Sequence, residues 1–454
     1  MPAAVPDIFP CSMTLRFLLF SAMLTLALVL PAAGMGNSPG DTLSKAVSLQ
    51  RNKSQKCDTC CPQKDLIDFF FKGNNPFYNK HEKRFRFFAI PLIAYDPATS
   101  VQLGAGGSFS LQLGSAENTK LSAGVASVLY TLNQQFFIQY KGNIYFPNNK
   151  WLLQSDWRFY LFNLPTYTLG TNNQVAIPMV PGYKAVLIDP SLNGIYPMDY
   201  NWIRFYNVLS RRLTESIHVG VGYHIDIHYN ISDDNLVIQN DTLYNTPHFA
   251  YSTLHGFNPG GYITSGVSAN FVYDTRDDQV NAYSGIFVNV NYRYNPTWLG
   301  SSKNSSNLWT EFRAFIPLSR RCPRHLLAFW YYGSFLVSGE LPYLDLMSIS
   351  YDQMNSSGRG YAQGRYRGED FVYGEMEYRF PISPHTHILG GVIFTNVTTA
   401  SNRDMGVPLF GYFQPAAGVG LRIMVGKHDR TNIAIDFGIG NMSKGLYVQT
   451  QEVF

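Results

Sequence analysis

Four stretches of the chain alternate apolar and polar residues with a period of two. In HVGVGYHIDIHY (218–229), Val219, Val221, Tyr223, Ile225, Ile227 and Tyr229 share one face, and His218, Gly220, Gly222, His224, Asp226 and His228 share the other. IFVNVNYRY (286–294) sets Ile286, Val288, Val290, Tyr292 and Tyr294 against Phe287, Asn289, Asn291 and Arg293. FVYGEMEYRFPI (371–382) sets Val372, Met376, Tyr378, Phe380 and Ile382 against Glu375, Glu377 and Arg379. RTNIAIDFGIG (430–440) sets Thr431, Ile433, Ile435, Phe437 and Ile439 against Arg430, Asn432 and Asp436. Such alternation predicts strands. Each run is longer than the roughly 5–6 residues of a globular strand and suits the roughly 9–11 of a tilted strand crossing a bilayer. The polar faces carry charges and histidines in mid-strand, which a dry sandwich core rejects unless they are paired. A barrel with lipid outside and a wet lumen accepts them.

Extended along the chain, the pattern predicts strands near 84–95, 101–113, 119–132, 135–146, 150–162, 200–213, 216–229, 262–274, 284–295, 307–317, 326–337, 371–382, 386–397, 414–426, 430–440 and 445–454. The expected fold is all-β: a transmembrane antiparallel β-barrel of about sixteen strands, an even number as in single-chain bacterial barrels. Short turns such as FPNNKW (146–151) alternate with long connections at 163–199, 230–261 and 338–370. That asymmetry marks inner turns and outer loops. A large soluble all-β protein is the competing reading.

Composition favours the membrane. Hydrophobic residues make up 45% of the 454, aromatics 15% and charged residues 15%, the last well under the roughly 25% of a soluble domain. After residue 35 no apolar run reaches the roughly 18 residues of a spanning helix. The net charge of +4 points neither to nucleic acid nor to an acidic substrate.

Residues 1–34 read as a signal peptide. Arg16 precedes an apolar stretch from Phe17 to Leu30, Pro31 breaks it, and Ala32-Ala33-Gly34 offers small residues for cleavage. Met13 is a candidate start, and an uncleaved anchor helix is the alternative. Residues 35–83 read as a short polar periplasmic segment, and 84–454 as the barrel. Within the polar segment, Cys57, Cys60 and Cys61 lie in CDTCC. An oxidising compartment makes a local disulfide plausible there. A zinc site lacks its further ligands, and a redox CxxC lacks its structural setting.

Three motifs carry a family resemblance. YDTRDD (273–278), with Asp274, Arg276 and Asp277, closes one strand and is followed by SGIFVNVNY. GRGYAQGRYRG (358–368) precedes a strand ending EYRFPI. AGVGLRIMVGK, NIAIDFGIG and GLYVQTQEVF follow in order. Together they resemble the BamA/TamA family of outer-membrane assembly barrels, over roughly residues 84 to 454. The resemblance implies that Arg359-Gly360-Tyr361 is the tip of an outer loop folded into the lumen, with Arg359 reaching Glu377 on the next strand. Glu375 shares that inner face, and a guanidinium can bind such a carboxylate bidentately. Arg365 and Arg367 are expected to line the descent toward that strand.

One departure stands out. Relatives carry an acid on the following strand, where IFTNVTT (393–399) places Asn396. The expectation is a weaker pairing for Arg359, or one shifted to Glu375. Phe454 ends an alternating run, like the recognition signal of outer-membrane barrels, with Glu452 on the same face near the interface. The competing readings are a solvated loop for Arg359, turn solvation for Asp274, Arg276 and Asp277, and RNA binding for 358–368.

His218, His224 and His228 share one strand face, and the nearest two sit about 13 Å apart along it. They read as lumen-facing polar residues, and no metal or other cofactor is expected. No nucleophile elbow, phosphate loop or catalytic carboxylate pair stands out, so no enzyme is expected. The resemblance also implies POTRA modules of about 75 residues ahead of the barrel. The roughly 50 residues here cannot hold one, which suggests a barrel-only member. The expected role is assembly of outer-membrane proteins, or transport of protein or lipid across the outer membrane. Expected partners are outer-membrane lipids, unfolded barrel clients and separate periplasmic or lipoprotein partners, with no nucleic acid. The alternative is a structural or pore-forming barrel that has lost insertase work.

Overall fold

The computed structural model describes residues 85–454, apart from 97–99, 116, 173–176, 184, 190, 191, 193, 240, 241, 320, 321, 323, 384, 385, 387, 427–429, 450 and 451. The expected signal peptide, the polar segment 35–83 and Cys57, Cys60 and Cys61 all lie outside the described residues.

Sixteen strands follow one another round a barrel whose order closes on itself. They are β1 (Phe85–Asp96), β2 (Ser100–Leu111), β3 (Ser122–Thr131), β4 (Phe136–Tyr145), β5 (Trp151–Asn163), β6 (Met198–Arg212), β7 (Ile217–Asp233) and β8 (Gly261–Asp274). The second half is β9 (Gly285–Asn295), β10 (Ser305–Pro317), β11 (Leu326–Gly339), β12 (Asp370–Pro381), β13 (Leu389–Ala400), β14 (Gln414–Gly426), β15 (Thr431–Gly440) and β16 (Ser443–Gln449). Each predicted strand has its counterpart, because a half-lipid, half-lumen wall forces the period-two pattern onto the sequence.

The alternation settles which face is which. On β7, Val221 is 71% exposed, while His218, His224, Asp226 and His228 are buried. With lipid outside, exposed Val221, Phe205, Trp157 and Ile393 are in their proper solvent. An outer aromatic ladder joins Phe109, Tyr140, Trp157 and Phe205, passing over Gly124 of β3, with centroids 4.8–6.1 Å apart. An inner row, Phe137–Tyr160–Trp202–His228, crosses β4 to β7 in register. Such cross-strand pairs are the unit of sheet stabilisation.

Two of the long outer loops build a cap. Ala185–Leu187 pairs parallel with Thr242–Tyr244, which pairs antiparallel with Val237–Gln239. Helix α1 (Pro247–Leu254) follows, with Pro247 in its first turn and Thr246 accepting from the Phe249 amide at 3.2 Å. Both are strong helix-start devices. The third long loop, 340–369, enters the barrel.

The last strand departs from expectation. The pattern predicts a strand to Phe454; the described strand covers Ser443–Gln449, and Glu452, Val453 and Phe454 lie outside any strand and are buried. Phe454 stacks on lumen-facing Trp330, with centroids 5.2 Å apart. Phe454 therefore packs against the inner face, and Glu452 is buried beside Arg422.

Candidate functional site

Loop 340–369 fills the lumen. A short bridge pairs Met347–Ser348 with Arg367–Gly368 and makes a hairpin of it. Arg367 Nη1 donates to the carbonyls of Tyr343, Leu344 and Leu346 at 2.9–3.0 Å. Three carbonyls on one guanidinium nitrogen hold the descending arm together from within. Arg367 thus binds its own loop and does not line a path to β12. Arg365 lies over the Tyr167 ring at 4.9 Å, toward the outer loop 164–197. Lower down, the Asp352 carboxylate accepts from the amides of Met354, Ser356 and Ser357 at 2.7–3.2 Å, a side chain standing in for backbone partners.

At the tip, Arg359 is 2% exposed. Its Nη2 bonds both Glu375 and Glu377, and its Nη1 meets Asp436 at 2.8 Å. The guanidinium lies 3.7 Å from the Phe394 ring centroid. Burial alone would lower its pKa, but Glu375, Asp436 and Glu377 outweigh that and hold it well above the ordinary arginine value. Around it, Arg379 pairs with Glu377 at 2.6 Å, and Arg422 pairs with Asp436 at 2.5 Å and with Glu452 at 2.8 Å. The result is one buried network of alternating sign, spanning β12, β14, β15, the loop tip and residue 452. Buried charges are stable only when paired in this way.

Glycines make the approach possible. Gly360 has φ +114°, and a Cβ there would lie 2.9 Å from that of Ala416. A Cβ on Gly438 would lie 2.7 Å from the Gly360 nitrogen. Tyr361 is buried; its hydroxyl donates to the Pro415 carbonyl at 2.6 Å and accepts from the Asn441 amide at 2.9 Å.

Glu375 and Glu377 are thus both partners of Arg359. Asn396 is present too, in a different role: its Nδ2 donates to the Arg359 carbonyl at 3.0 Å. The acid absent from β13 is supplied by Asp436 on β15, which the sequence reading placed on the inner face but did not assign. Its signal was the run DFGIG, an inner-face acid two residues before a glycine that clears room for the loop tip.

The strand-turn motif is a clamp. Asp274 accepts from Arg276 Nε at 3.0 Å, and Arg276 lies 4.4 Å from the Phe287 ring centroid. Asp277 Oδ1 accepts from the amides of Tyr283 and Ser284 at 2.9 and 3.1 Å, closing the turn. Its Oδ2 meets Arg430 at 2.8 Å, linking this turn to the one before β15. Solvation alone does not describe these residues. His218, His224 and His228 sit on the inner face, and among the described residues no group of three or more His, Cys, Asp or Glu is placed to hold a metal.

Residues 104–453 match the Omp85 superfamily domain. No curated protein matches the chain. A crystal structure of BamA from Haemophilus ducreyi lacking POTRA domains 1–3 is similar, with TM-score 0.50 and 13% identity over 82% of this chain and 71% of that one. CdiB from Acinetobacter baumannii and CdiB from Escherichia coli align with TM-scores 0.48 and 0.47 at 12% and 10% identity, each over 82% of this chain. This chain spans 60% and 64% of those two, less than two thirds of their length.

Proposed function

Because the chain belongs to the Omp85 superfamily, we propose that this outer-membrane barrel assembles membrane proteins, or moves protein or lipid substrates, through the seam between β1 and β16. One observation carries the reading. Among the described residues, seven register pairs join β15 to β16, while one pair, Tyr95 with Val448, joins β16 to β1. Each backbone bond missing from a ladder in lipid leaves a costly unpaired group. This seam is therefore where the wall parts most easily and where an incoming strand would find unpaired donors and acceptors. Arg359 and its acids keep the lumen ordered while the seam opens. The work is mechanical, not enzymatic, and it draws on membrane substrates and partner proteins, including unfolded barrel clients and periplasmic or lipoprotein partners.

The alternative, a simple pore, requires a free lumen. Loop 340–369 and residues 452–454 lie in it, and one cavity near Tyr145, His218, Asp274, Arg276 and Met354 holds about 70 Å³. Reconstitution decides between the two. The purified barrel in liposomes, with an unfolded barrel client and periplasmic partners, is expected to speed client folding over empty liposomes. No acceleration, together with steady ion conductance, sinks the assembly reading in favour of the pore.

A further inference from the structure

The cavity beside His218 lies at the end of the lumen where the short inner turns gather. Strands β5, β7, β8, β9 and β10 wall it, and Gln353 and Met354 of the lumen loop roof it. Its volume is about 70 Å³, and one buried water needs roughly 10–15 Å³ of such space. A group of several heavy atoms therefore fits.

Two arginines reach the cavity in the same pose. Arg276 gives Nε and Nη2 to Asp274 at 3.0 and 3.2 Å. Arg313 gives Nε and Nη2 to Glu311 at 2.8 and 2.5 Å. Each fork leaves its Nη1 without a hydrogen bond to any described residue. Both guanidiniums rest over the Phe287 ring, 4.4 and 5.4 Å from its centroid, which fixes them at the cavity wall. His218 on β7 is 3% exposed and lines the same space. Among the described residues its Nε2 has no hydrogen-bond partner. A buried polar group left that way is costly, so this nitrogen calls for a ligand atom.

The local charge is positive. Lys120 lies 5.7 Å from the ring centroid of Tyr145, which lines the cavity, and Arg212 stands opposite His218 in register. The acids are already engaged: Asp274 and Glu311 by their arginines, Asp277 by Arg430, and Asp278 by the amides of Val280 and Asn281.

We propose that this cavity is an oxyanion site that takes a phosphate group at the inner mouth of the barrel, held by Nη1 of Arg276, Nη1 of Arg313 and Nε2–H of His218. Donors from separate walls suit a tetrahedral oxyanion, whereas one fork satisfies a flat carboxylate. Free phosphate and a phospholipid headgroup present the same chemistry. Either one, bound beneath Gln353 and Met354, braces the lumen loop from below, apart from the Arg359 network.

Phosphate titration tests it. The full-length barrel, purified in a sugar-headgroup detergent and shown folded by heat-modifiable migration, receives inorganic phosphate and is followed by phosphorus NMR line broadening. Saturable binding is expected. Arg313→Lys keeps a cation for Glu311 but loses the fork, and it should weaken binding about tenfold. His218→Leu removes a nitrogen that holds no described partner, so the barrel should fold, and binding should again weaken about tenfold. If Arg313→Lys yields no folded barrel, His218→Leu decides alone. Unchanged affinity in the folded variants overturns the site, as does the absence of saturable binding by both phosphate and short-chain phosphatidylglycerol. Displacement of phosphate by that lipid assigns the headgroup as the source, and phosphate binding that the lipid does not disturb assigns free phosphate. Acetate displacing phosphate at equal concentration overturns the phosphate class. No client enters the test, so its outcome stands apart from the assembly reading.

Discussion

Arg359 at the loop tip meets Asp436 on β15 at 2.8 Å, while Asn396 on β13 holds the carbonyl of the same arginine. The ionic partner lies two strands along the wall from Asn396, whose side chain anchors the backbone. This arrangement makes the lumen network testable residue by residue.

Asp436→Asn should loosen the loop strongly. It leaves Arg359 and Arg422 each short of a buried acid, and breaking a buried pair by removing one partner costs about 3–5 kcal/mol. The check is urea unfolding of the folded barrel in detergent, read by heat-modifiable migration. Arg359→Ala should fall in the same range, because it leaves buried Glu375 without an arginine and takes one of two hydrogen-bonded arginines from Glu377 and from Asp436.

Asn396→Asp restores the acid that the family resemblance implies, and it should destabilise. The Nδ2 donor would become a second acceptor facing the Arg359 carbonyl, and a buried acceptor without a donor costs about 1–3 kcal/mol. The same unfolding assay reads it. Stabilisation by this substitution would show that the guanidinium can turn to reach β13.

Asp277→Asn should matter little to stability. The Asp277 and Arg430 side chains are 31% and 26% exposed, and a partly exposed pair is worth about 0–1 kcal/mol. Asparagine also keeps an oxygen for the Tyr283 and Ser284 amides. A loss of several kcal/mol on unfolding would make this clamp a main support of the barrel floor.

The outer cap should respond to pH through His255. This residue follows α1; its Nδ1 faces Glu340 and its Nε2 faces Asp404, both at 3.0 Å. The hydrogen bond to Asp404 outweighs the cost of burial and, with the bond to Glu340, raises the His255 pKa above its ordinary value. A raised histidine stabilises the folded form fully below the unfolded value of about 6.5, and that contribution disappears as pH rises through the raised value. Limited proteolysis of the outer loops should therefore be faster at about pH 9 than at about pH 6. His255→Gln should flatten the difference.

Asp345 should act in the same direction lower in the lumen. Burial and the neighbouring Asp226 push its pKa up to about 7, against Thr264 and two arginines. Its protonated form suits the folded loop, so the contribution is full below the ordinary carboxylate range and is lost as pH rises through about 7. Asp345→Asn should make loop 340–369 resist protease equally on both sides of that value.

The sequence by itself determined the barrel. A strand wetted on one face and oiled on the other must alternate, so sixteen strands and their inner faces were legible, down to Glu375, Glu377 and Arg379 sharing a wall. Arg359 was legible as a lumen residue because three motifs in order outweighed its nucleic-acid-like neighbours. Tertiary structure alone decided which acids met it. Asp436 lies 77 residues from Arg359 in sequence, and β-period reading assigns a face without saying which loop atom arrives there. It also decided the fate of residues 452–454, whose alternation suits a strand equally well. Glu452 is taken by Arg422, a partner 30 residues away that no one-dimensional pattern encodes.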